Sequence, residues 1–167
     1  YCWGNHFSYE ARGGRIPLDA PSIVWTALIA NVFLDAFEYL KEQKYFDVAK
    51  SAADFIVNDI SRYEENDGTI CFMYTPGTDP SAEGCIHNSN VLGAWLLSRV
   101  SQHTKDKKLQ LLAQKSIDYT LKYQLPDGGW YYGEPQKFRW VDNFHTGYVL
   151  ESIDGYMKAT NDKKQKD

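Results

Sequence analysis

The feature that most constrains this chain is a repeat. ANVFLDAFEYLKEQKYFDVAKSAADF lies over SNVLGAWLLSRVSQHTKDKKLQLLAQKSIDY, and HTGYVLESIDGYMKATNDKK begins a third copy. Asn31-Val32 aligns with Asn90-Val91, Asp54-Phe55 with Asp118-Tyr119, and Asp67-Gly68 with Asp127-Gly128, at offsets of 59, 64 and 60 residues. Each unit reads as helix, tight turn, helix, then an extended Asp-Gly segment. Units of this length bury their apolar faces by stacking on one another.

Apolar spacing gives five helices. Trp25, Leu28, Ile29, Val32, Phe33, Ala36, Phe37 and Leu40 form one wide stripe, and Tyr45, Val48, Ala49, Ala52, Phe55 and Ile56 a second. NVLGAWLLSRV is apolar nearly all round, as a helix covered on both sides must be. Leu109, Leu112, Ala113, Ile117, Thr120 and Leu121 mark the fourth helix, and Tyr148, Val149, Ser152, Ile153 and Tyr156 the fifth. No β and α segments alternate, so a parallel sheet is not expected. The fold expected is all-α: repeated helical hairpins forming a partial (α/α) toroid of the six-hairpin or terpenoid-cyclase type. Residues 1–167 make one domain of about two and a half hairpins, a fragment of a larger toroid.

Composition narrows the partners. Hydrophobic residues make up 43% of the 167 and aromatics 15%, enough for a core and for an aromatic-lined cleft. The net charge of −4, without a basic stripe, argues against a nucleic-acid partner. No apolar run long enough to span a membrane is read. Cys2, Cys71 and Cys85 do not make an even disulfide set, so three reduced thiols and a cytoplasmic location are expected. A chain opening on Tyr, without a basic-then-apolar leader, is expected to be an internal piece of something longer.

In a toroid the loops at the N-termini of the inner helices open onto one end of the central cavity. RWVDNFH delivers Arg139, Trp140, Asp142, Asn143 and His145 there, and GCIHNSN delivers His87, Asn88 and Asn90 one repeat earlier. His87 lies three residues before Asn90, and His145 three before Tyr148, so the two imidazoles are read as repeat equivalents. Helix N-termini carry free N–H groups that favour anionic ligands. His145 and His87 are the expected acid/base pair, with Asp142 as orienter or second proton carrier. Trp140, Asn143, Arg139, Asn88, Asn90, Tyr148, Trp3 and Tyr74 are the expected ligand contacts. Trp130, Tyr131 and Tyr132 are further loop aromatics on which a sugar ring could stack. The competing reading makes the histidines helix staples and leaves Asp142 and Asn143 to satisfy backbone donors. The loop carboxylates Asp79, Glu83 and Glu134 are read as solvated.

Zinc on Cys85, His87, Asp142 and His145 is weighed and not expected, because the sequence lacks the ligand pattern of zinc-bearing toroids. No metal and no cofactor is assigned. There is no Gly-x-Ser-x-Gly elbow and no glycine-rich phosphate loop; EARGGRIP reads as a turn.

YQLPDGGWYYG resembles the Gln-x-x-x-Gly-x-Trp signature of squalene cyclases and protein prenyltransferases, a structural staple between helices. The Asp-x-Asp-Asp acid of the cyclases and the prenyltransferase zinc pattern are absent. More of the chain resembles a bacterial α/α-toroid family found with capsule and exopolysaccharide genes. YCWGNHF, PSIVWT, CFMYTP, HNSNVLGA and RWVDNFHTGYVLES carry that resemblance. Members are labelled aminolevulinate dehydratase-like or prenyltransferase-repeat-like, and they extend beyond both ends of this chain. The first label describes a TIM barrel with Schiff-base chemistry, which this pattern does not have. NHF replaces the usual aromatic-Pro-Phe segment, so no role is carried onto His6.

The resemblance implies a carbohydrate-active toroid that binds or transforms a polysaccharide or sugar intermediate, by epimerase, lyase or hydrolase chemistry if it is an enzyme. The alternatives are a non-catalytic scaffold or glycan-binding subunit, and a polyprenyl-lipid binder. Expected partners are a saccharide and further hairpins, supplied by a longer chain or by another polysaccharide-assembly protein.

Overall fold

The computed structural model describes residues 1–11, 14–80 and 84–161. Glu83 and the terminal lysine run after Asn161 lie outside the described residues. Among the described residues five long α-helices carry the fold: α1 Ile23–Leu40, α2 Gln43–Asn58, α3 His87–Thr104, α4 Lys107–Lys122 and α5 Asn143–Thr160. Two antiparallel ribbons accompany them. β1 Tyr9–Ala11 pairs with β2 Gly14–Ile16 before α1, and β3 Arg62–Glu64 pairs with β4 Ile70–Phe72 between α2 and α3. A short 3₁₀ turn, Gln136–Phe138, precedes α5.

Helix lengths alternate 18, 16, 18, 16 and 18 residues. The two hairpins are α1–α2 and α3–α4, and α5 packs on α3 as the third inner helix. α3 is buried nearly all round, since α1, α2, α4, α5 and β4 all lie against it. The all-α hairpin-repeat reading therefore holds.

The repeat extends to single hydrogen bonds. In the first Asp-Gly turn Glu65 N–H donates to Thr69 O, Gly68 N–H to Glu65 O, and Thr69 N–H to Asp67 Oδ1. Sixty residues on, Leu125 N–H donates to Gly129 O, Gly128 N–H to Leu125 O, and Gly129 N–H to Asp127 Oδ1. Gly68 and Gly128 sit at φ of 83° and 89°, the left-handed region such a turn requires. The Gln-x-x-x-Gly-x-Trp staple is also visible: Gln124 Nε2 donates to Gly128 O at 2.9 Å, and buried Trp130 Nε1 to Thr120 O at 2.8 Å. Trp130 is thus a core residue and not a stacking platform.

The register read from sequence needs correction. α1 and α3 start 64 residues apart (87 − 23), as do α2 and α4 (107 − 43), so Asn31 corresponds to Trp95 and Asn90 to Thr26. α3 and α5 start 56 apart (143 − 87), which pairs His145 with Ser89 and His87 with Asn143. The length changes fall in the loops that lead into inner helices, where sequence alignment has no helical period to follow.

Two further expectations change. Cys71 and Cys85 form a disulfide, Cα atoms 5.9 Å apart, which ties β4 to the head of α3. Only Cys2 is a free thiol among the described residues. The reading of three reduced cysteines failed because the pair is 14 residues apart across a loop that folds back. By length and composition α1 is also apolar enough to cross a membrane, with mean hydropathy 1.5 over 18 residues. In the structure it is a wall of the bundle. Ile23, Ala27, Ala30 and Leu34 are fully buried, and Asn31 accepts two hydrogen bonds from Arg99 of α3.

Candidate functional site

Two clusters of chemically equipped side chains form near the N-termini of the inner helices. The first is built on α5. Asp142 is its N-cap, in extended backbone, and its Oδ1 accepts from His145 N–H at 2.8 Å. Its Oδ2 meets His145 Nδ1 at 2.6 Å and accepts from Trp140 Nε1 at 3.0 Å. One carboxylate therefore caps the helix, orients an imidazole and holds an indole. Burial alone would raise the Asp142 pKa; the hydrogen bonds from the His145 backbone and ring, the nearby imidazole and Trp140 outweigh it and hold the carboxyl below the usual range. An ionised carboxylate accepts only, so Nδ1 of His145 carries the proton and Nε2 is the nitrogen left for other work.

Aromatic rings enclose this pair. Tyr132 stacks on Trp140 with centroids 4.6 Å apart and planes at 20°, and it meets the His145 ring at 4.5 Å. Phe138 lies edge-on to Tyr132, and Phe144 edge-on to His145 and to Tyr148. Burial, then Tyr9 and Asp142, push the Tyr132 hydroxyl up to about 12, so it stays a donor at neutral pH. Burial likewise pushes Tyr74 well above the usual phenol range, with Tyr9 and Tyr132 adding to it and Tyr9 hydrogen-bonded to it. The site thus gathers Tyr9 from β1, Tyr74 after β4, Tyr132 and Trp140 from the loop before α5, and the Asp142–His145 pair.

His87 belongs to the second cluster. It is only 1% exposed; Nε2 meets Glu134 Oε1 at 2.8 Å and Nδ1 faces the Thr120 hydroxyl at 3.4 Å. It lies against Tyr119 of α4 and Tyr123, the residue that caps that helix. His87 is the first residue after its N-cap and His145 the third, and two residues turn a side chain by about 200° around the helix. That rotation sends His87 towards the outer helix while His145 meets the aromatic cluster. The reading of the two as equivalent is therefore corrected. Glu134, read as solvated, is half-buried on His87.

The other expected contacts divide. Asn90 is fully buried and spent on the fold: Oδ1 accepts from Phe72 N–H and the Ser116 hydroxyl, and Nδ2 donates to Ser116 O and Thr120 Oγ1. Asn88 is buried with its Oδ1 unpaired by any protein donor. Trp3 stacks on Tyr1 and on Phe33. Arg139 and Asn143 are exposed, and Arg139 Nε donates to Glu134 O. His6 pairs with Asp19 on the surface. Among the described residues no three His, Cys, Asp or Glu side chains converge as a metal site, and Cys85 is held in the disulfide. Tyr9 was missed; it lies in a short ribbon with no helical period to mark its partner.

No protein-family model and no curated protein matches the sequence. Solved structures do. A sugar epimerase from a ruminal bacterium superposes with a TM-score of 0.66 at 19% identity, covering 95% of this chain and 44% of its own. A glycoside hydrolase family 76 mannosidase from Bacteroides thetaiotaomicron superposes with a TM-score of 0.60 at 14% identity, over 95% and 46% of the two chains. The chain spans less than half the length of these structures. At such identities the likeness establishes the fold, an α/α toroid shared with sugar-active proteins.

Proposed function

We propose that the chain is part of a carbohydrate-active toroid whose sugar binds where Tyr132, Trp140 and the Asp142–His145 pair meet. The observation that carries this reading is the pair itself: a partly exposed imidazole with its Nδ1 proton anchored on a carboxylate, set against a stacked Tyr–Trp platform. That is the equipment for taking a proton at a sugar carbon while the ring is held on aromatic faces. Of the two solved structures, the epimerase suits such chemistry better than the mannosidase, because hydrolysis of a glycoside usually calls on two facing carboxylic acids. Among the described residues Asp142 is the carboxylate placed against His145. His87, buried against Glu134 and Thr120, has no part in this scheme.

The stacked platform also favours a second reading, a glycan-binding module without chemistry. Solvent exchange separates the two. A neutral reducing disaccharide incubated in D₂O with the longest natural form of the protein should gain deuterium next to its carbonyl carbon. His145→Ala should abolish the exchange while a thermal-shift assay still detects binding. Ligand at about 100 times its dissociation constant adds about 2.7 kcal/mol, enough to see. Binding without exchange in the parent protein would leave only the module reading.

Service in capsule or exopolysaccharide assembly, with further hairpins completing the ring, is part of the same proposal. The compartment is a separate one. A buried disulfide favours an oxidising compartment over the cytoplasm expected from reduced thiols.

A further inference from the structure

Beyond the first turns of the inner helices, a cavity of about 310 Å³ opens between α1, α3 and α5, lined from their middles to their C-terminal ends. Trp95 of α3 forms part of its wall. A Cβ built on Gly155 of α5 would stand 2.4 Å from the Trp95 ring, so the missing side chain is what lets the indole lie on the α5 backbone. Between Val91 and Ser101 every residue of α3 except Trp95 is buried, and Trp95 is left half-open to the cavity. Beside it Arg99, its side chain 10% exposed, is fixed by Asn31 O and Oδ1 and by the carboxylates of Asp35 and Glu38. Glu151 and Asp154 line the opposite wall.

We infer that this cavity is a second sugar site, separate from the Tyr132–His145 cluster, that takes a neutral or amino-bearing pyranose against Trp95. An immobilised indole offers the apolar surface that the C–H face of a pyranose covers, and carboxylates around it accept hydroxyl hydrogen bonds. The volume lies at the small end of ligand cavities, which suits one or two sugar rings and not a long chain. Charge sets the class. Four carboxylates (Asp35, Glu38, Glu151, Asp154) face two cations (Arg99, Lys158). Arg99 is committed to Asn31, Asp35 and Glu38, His103 also meets Glu38, and Lys158 pairs with Asp154, which leaves Glu151 as the lining carboxylate open to a ligand among the described residues. The wall is net negative by two, so uronates, sugar phosphates and sugar nucleotides are repelled. The inference shares the sugar class with the proposed function but none of its residues.

Fluorine NMR of protein labelled with 5-fluorotryptophan tests both sites at once. The chain has five tryptophans, and single Trp→Phe variants assign the signals. Titration with glucosamine and with a neutral disaccharide should move the Trp95 signal saturably, while glucuronate should move it less. Gly155→Ala should displace the indole and remove the response, and Glu151→Gln, which leaves the platform intact, should weaken glucosamine more than the disaccharide. A Trp95 response without one from Trp140 supports this site and leaves the other without support. A Trp140 response alone overturns this inference and spares the other reading. No response at either signal overturns both, and glucuronate matching glucosamine overturns the assignment of ligand charge.

Discussion

Replacing Asp142 tests the structure where helix, platform and chemistry meet. In Asp142→Ala three donors lose their acceptor: His145 N–H, His145 Nδ1 and Trp140 Nε1. Loss of an N-cap costs about 1 kcal/mol. The other two bonds reach a charged acceptor, but its side chain is about a third exposed, so water replaces part of what is lost and together they add about 1–2 kcal/mol. The expected total is about 2–3 kcal/mol. Asp142→Asn keeps a good cap but loses the charge, and should cost about 1 kcal/mol. Urea unfolding reads both as a drop in midpoint at unchanged slope. The dependence on pH is a second check. Because the folded carboxyl lies below its unfolded value, its contribution is present above about pH 4 and is lost as pH falls through the folded pKa. The gap between parent and Asp142→Asn should therefore close in acid. An Asp142→Ala cost under about 0.5 kcal/mol, or a gap that widens in acid, would refute the three-bond assignment.

A thiol assay on the unfolded, unreduced protein should find one free cysteine per chain, Cys2, and reduction should cost about 3 kcal/mol because it frees a closed loop of about 15 residues; three free thiols would contradict the pairing. Asn90→Ala strands the buried Phe72 N–H and takes the Oδ1 acceptor from the Ser116 hydroxyl, and should cost about 2 kcal/mol in the same urea assay, a loss that no sugar ligand reaching only the surface would explain.

The helices were legible because each has an apolar stripe at helical spacing, and the Asp-Gly turns because only a few residues make that turn. Register was not legible. Asn31 and Asn90 look alike in sequence, yet one sits mid-helix against Arg99 and the other in the first turn against Phe72 and Ser116. A smaller uncertainty, two residues, decided the histidines. Sequence placed both at helix starts, but which way a side chain turns there depends on its count from the N-cap. Trp140, Asp142 and His145 could be read from RWVDNFH, and Tyr74 and Tyr132 as loop aromatics; Tyr9 and the pairing of His87 with Glu134 join distant segments, and no local pattern marks them. The disulfide escaped for the same reason.

α1 and α3 pass to their outer partners through two residues, Lys41-Glu42 and Lys105-Asp106, whereas the return paths run from 59 to 86 and from 123 to 142. Lys41 and Lys105 both take a left-handed backbone, φ 60°, and their N–H groups close the last helical turn. Those links are too short to absorb an inserted residue without unwinding a helix, while the long returns can lengthen freely. Evolution of such a chain is thereby confined to one pole. Length can be added to the loops around Tyr74, Tyr132 and Trp140 while the opposite pole keeps its shape.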